Sequence, residues 1–158
     1  MLVQLNRATA PRDFSITATG LPVNPATVPA RNRGGHQVVA VFGHPGRVAG
    51  LSHHLPGSWS LRRPAGFDEV APGEIVLLAG TSIREVDAAR AVLPARTRVV
   101  ALVDDEAPAE LVAGVLTAGA DVCVRGGQPA ILASHLVACR RRQLAQRWAQ
   151  IDADKTPV

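Results

Sequence analysis

Tyrosine is absent from the chain, and two tryptophans and three phenylalanines supply all its aromatic surface. The core of this 158-residue protein must therefore be filled by Val, Leu, Ile and Ala, which suits helices packed tightly on a β-branched sheet. Cysteine is scarce as well. Cys123 and Cys139 show no C-x-x-C spacing, which argues against a zinc site and a disulfide framework. Both read as small core residues of a reducing compartment. No apolar run approaches the roughly 18 residues of a membrane span, and MLVQLNRATAPRDF lacks the apolar stretch of a secretory signal. The expectation is a cytoplasmic protein with no membrane partner.

Lysine is nearly missing too. Lys155 stands alone among 17 cationic residues, and 13 carboxylates leave a net charge of +4 and a pI near 10.4. Such a balance permits contact with nucleic acid. The arginines are scattered, however, as a composition bias would leave them.

What is present divides the chain. Residues 1–36 carry Pro11, Pro22, Pro25 and Pro29 and close on RNRGGH, so they read as a flexible arm with few backbone donors and no lasting regular element. Residues 37–142 read as one α/β domain, and residues 143–158 as a helical extension and tail. QVVAVFG (37–43), EIVLLAG (74–80) and RVVALVD (98–104) are apolar runs suited to strands buried on both faces. SWSLR and DVCVR supply two shorter strands. Between the first two strands, Val48, Leu51 and Leu55 recur at helical spacing, with Gly57 as a stop, which predicts a helix. FDEVAPG is a connection with room for one helical turn. Ser82 is placed to cap a helix running to Leu93, with Glu85 completing a capping box. Leu111, Val112, Val115 and Leu116 mark the buried face of a helix over 107–120. The last helix starts near Pro129 and is expected to bury Ile131, Leu132, His135, Leu136 and Cys139. The alternation predicts a parallel sheet with helices on both faces.

VVALVDDEAPAELVAGVLTAGADVCVRGG (99–127) resembles the last two β/α units of a response-regulator receiver domain. In that family a strand of the type VIALTA leads through an acidic loop to a helix ending in ALxAGADDYLxKP. EIVLLAG is similar to the family's DLVLLDL strand, and the resemblance covers roughly Gln37 to Arg142. It implies a doubly wound, five-stranded parallel sheet of flavodoxin-like order 2-1-3-4-5. It also implies phosphoryl transfer from a histidine kinase to an aspartate at a Mg²⁺ site. This sequence departs from that pattern at each functional position. Ala79 stands where the acceptor Asp belongs, and Phe42 and Gly43 stand where the acidic pair belongs. Val103 replaces the Thr or Ser, and Gly126-Gly127 replace the Lys-Pro pair, with Arg125 one residue away. The implied reading is a degenerate, non-catalytic pseudo-receiver that holds no metal or cofactor and works in signalling or transcriptional control.

Other chemistry is thin. GHPGR lacks both the Walker and the dinucleotide spacing, although Gly43, Gly46 and Arg47 form a turn able to meet an anion. Adjacent His53 and His54 point about 100° apart on a helix and make no joint metal site. His44 reads as a solvated loop residue, and Asp104, Asp105 and Glu106 read as charge at a helix start. With no nucleophile and base converging at a strand end, an enzyme is not expected.

The C-terminal helix carries Arg140, Arg141, Arg142 and Arg147, while Leu144, Trp148 and Ile151 add an apolar stripe beyond the receiver-like part. Arg140, Leu144, Trp148 and Ile151 are the candidate interface, for a protein partner or self-association. The resemblance adds a second surface, formed by the family's fourth helix, fifth strand and fifth helix, which receivers use to dimerise. Two alternatives remain open: a small-ligand sensor using the vacated pocket around Gly43, Ala79, Val103 and Gly126, and a nucleic-acid binder using the basic helix.

Overall fold

The computed structural model describes residues 36–155. The arm expected over 1–36, apart from His36, lies outside the described residues, as do residues 156–158. Five strands build one parallel sheet: β1 (Gln37–Gly43), β2 (Trp59–Arg62), β3 (Ile75–Ala79), β4 (Arg98–Val103) and β5 (Val122–Arg125). Their order is β2-β1-β3-β4-β5. This is the doubly wound 2-1-3-4-5 arrangement that flavodoxins and receivers share, as expected from the sequence. Three α-helices accompany the sheet: α1 (Ile83–Val92), α2 (Ala109–Thr117) and α3 (Pro129–Asp154).

The sheet divides the core in two because neighbouring strand residues face opposite ways. Val39, Val41, Ile75, Leu77, Val100 and Leu102 meet Leu132, Leu136 and Cys139 of α3, with Leu51 and Leu55, on one face. On the other, Ala40, Val76, Leu78, Val99 and Ala101 meet Val86 and Ala89 of α1 and Val115 of α2. β3 is buried at every position, which explains why EIVLLAG shows no polar alternation. α1 starts as its sequence predicts. The Glu85 N–H donates to Ser82 Oγ at 3.4 Å, and the Ser82 N–H donates back to Glu85 Oε2 at 2.9 Å.

The connection after β1 differs from expectation. No α-helix forms there; short 3₁₀ turns at Pro45–Val48 and Leu51–His53 replace it. Gly50 sits between them at φ 77°, a left-handed conformation that interrupts a right-handed helix. Leu51 and Leu55 are still buried, so the spacing reported burial correctly and periodicity wrongly. The β2–β3 connection carries one 3₁₀ turn at Phe67–Glu69. Leu116 and Ile131, expected inside, are 43% and 47% exposed, and His135 is half-buried. The domain boundary expected after Arg142 falls within α3, which runs unbroken to Asp154.

Polar anchoring is concentrated at the N-terminal edge of the sheet. Before β5, the Asp121 carboxylate accepts from Arg90 Nη2 at 2.7 Å, from the Val99 N–H at 2.8 Å, and from Arg98. Arg98 also donates to Gln146 of α3. The Glu74 carboxylate, just before β3, accepts from Arg62 Nε and Nη2, both at 2.8 Å. Gln37 is buried and donates to the Gly73 carbonyl at 3.0 Å. These contacts fix one edge and leave the opposite one to the loops.

Candidate functional site

In a doubly wound sheet, ligands meet the protein beyond the carboxyl ends of the strands, where the strand order reverses. Here that point lies between β1 and β3, and the chain closes it with backbone. Gly43 pairs with Ala79, and the His44 N–H donates to the Ala79 carbonyl at 3.1 Å. A Cβ on Gly43 would lie 2.2 Å from that oxygen, and its φ is 89°. Only glycine fits so close an approach. Gly80 turns the end of β3 at φ 79°, and its N–H donates to the Leu102 carbonyl at 2.8 Å. Gly126 turns the end of β5 at φ 74°, donating to the Val103 carbonyl at 3.1 Å.

Over these glycines lies a single ion pair. Arg47, from the 3₁₀ turn after β1, donates through Nη2 to Asp104 Oδ1 at the end of β4. Its side chain crosses Gly80 so closely that a Cβ there would lie 3.1 Å from Arg47 Nε and 3.3 Å from His44 Cδ2. Asp105 similarly crosses Gly126, 2.9 Å from the Cβ that residue lacks. What remains is an open depression of about 360 Å³ lined by Arg47, Leu102, Asp104, Asp105, Gly126 and Gly127. Its charged lining is shared between a guanidinium and carboxylates, so the crevice carries its own counter-charge.

The candidate positions do not converge as side chains. Ala79 and Val103 are each 1% exposed, but Ala79 joins the core beneath α3 while Val103 joins the core beneath α1 and α2. Phe42 is half-buried against Phe67, with ring centroids 4.5 Å apart at 48°. Gly43 is exposed, and Gly126 is half-exposed beside Asp105. These positions supply neither a carboxylate nor a hydroxyl. Among the described residues, no group of three His, Cys, Asp or Glu is placed to hold a metal ion. His44, His53 and His54 are all exposed. Burial raises the thiols of Cys123 and Cys139 above their ordinary range, as small core residues require.

Sequence reasoning named Arg47 as a possible anion contact and Asp104 as loop charge, and it did not join them. Their meeting depends on the sheet order β1-β3-β4, which no local pattern announces.

The second candidate surface is the end of α3. Cys139 is the last residue of the helix buried in the core. Leu144, Trp148 and Ile151 are 36%, 64% and 37% exposed. Arg140 is half-buried and donates from Nη1 to Gln143 at 2.8 Å. Burial, with repulsion from Arg147 added, lowers its pKa from the ordinary value. Gln146, which accepts from Arg98, and Trp148 point about 200° apart round the helix. The apolar stripe thus lies on the flank away from the β4 attachment.

No helix among the described residues is long and apolar enough to cross a membrane. No family model matches the chain, and no curated protein matches it. The class that fold and site define is a doubly wound parallel α/β domain with Ala79 at the end of its third strand and the Arg47–Asp104 pair over its switch-point crevice.

Proposed function

We propose that this protein is a degenerate receiver domain that acts through protein–protein contact and accepts no phosphoryl group in its crevice. The observation that carries this reading is the crevice itself. The receiver-like strand order is retained, Ala79 stands at the acceptor position, and Arg47 lies over Gly80 paired with Asp104. A guanidinium so placed competes with a divalent cation for the same carboxylate. The contact surface in this reading is α3, whose Leu144, Trp148 and Ile151 form an exposed apolar row. A signalling or regulatory role follows from the resemblance, with the output set by a protein partner.

The other two readings draw less support. Ala79 and Val103 face opposite cores and line no common apolar chamber for a metabolite. Arg140, Arg141 and Arg142 are consecutive in a helix, so they project about 100° apart and spread their charge round it. A phosphate backbone is met better by cations on one face.

Beryllofluoride with Mg²⁺ mimics a phosphoryl group on an aspartate and tests the proposal. Trp59 and Trp148 fluorescence and the melting temperature should not change across a titration. A saturable, Mg²⁺-dependent change in either overturns the reading.

A further inference from the structure

We draw no further inference here: the strongest candidate, the exposed apolar row of Leu144, Trp148 and Ile151 at the C-terminal end of α3, carries no proposal because nothing in the structure shows what covers it.

Discussion

Arg47 and Asp104, 57 residues apart in sequence, form an ion pair across the C-terminal edge of the sheet, above the glycine that ends β3. The pair joins the loop after β1 to the loop after β4, passing over the end of β3 between them. Asp104 is largely exposed and Arg47 partly so, so the contact fills a crevice more than it stabilises a fold. Replacing Arg47 by Ala should cost less than about 1 kcal/mol, measured by denaturant unfolding. A larger loss would make the pair a structural clamp.

Gly43 should tolerate no side chain. A Cβ there would meet the Ala79 carbonyl oxygen at 2.2 Å, at a φ of 89°. Gly43→Ala must separate β1 from β3 or strain the turn, and should lose about 2–4 kcal/mol. Gly46, with nothing within 4 Å of its would-be Cβ, is the control. Gly46→Ala should stay within about 0.5 kcal/mol of wild type.

Asp121 closes the Ala118-Gly119-Ala120-Asp121 turn on which the receiver resemblance rests, and its role here is structural. Its carboxylate takes two arginines and the Val99 N–H, and its own N–H donates to the Val99 carbonyl at 2.8 Å. Asp121→Ala leaves Arg90 and Arg98 without their shared carboxylate in a partly buried setting. Thermal and urea unfolding should show a loss of about 2–4 kcal/mol. It should also loosen the hold of Arg98 on Gln146, read as faster amide exchange near the end of α3.

Acid should act through Glu74. Burial raises its carboxyl pKa, but the hydrogen bonds from Arg62 and the Ala71 N–H outweigh burial and hold it below the ordinary carboxylate range. A group depressed in the folded state contributes stability above its unfolded pKa, and that contribution is lost as pH falls through the folded one. The melting temperature should therefore decline below the ordinary carboxylate range. In Glu74→Gln the decline should be shallower and the neutral-pH stability lower.

Much of the fold was legible from residues alone. Three apolar runs and two shorter segments gave five strands, the Ser82–Glu85 spacing gave a capped helix, and uninterrupted apolarity in EIVLLAG gave a strand buried on both faces. The β1–β2 connection was misread because Val48, Leu51 and Leu55 carry a helical spacing that Gly50 breaks. Leu116 and Ile131 are exposed apolar residues, and a spacing rule cannot separate those from core positions. That Ala79 ends β3 could be read directly from the strand's sequence. The pairing of Arg47 with Asp104 could not, since it is set by strand order and loop path.

The most direct test of the central claim is intact mass after incubation with Mg²⁺ and acetyl phosphate, a small phosphoryl donor. The account predicts an unchanged mass at every donor concentration. An acid-stable, alkali-labile gain of one phosphoryl group on an aspartate of the crevice, Asp104 or Asp105, would contradict it.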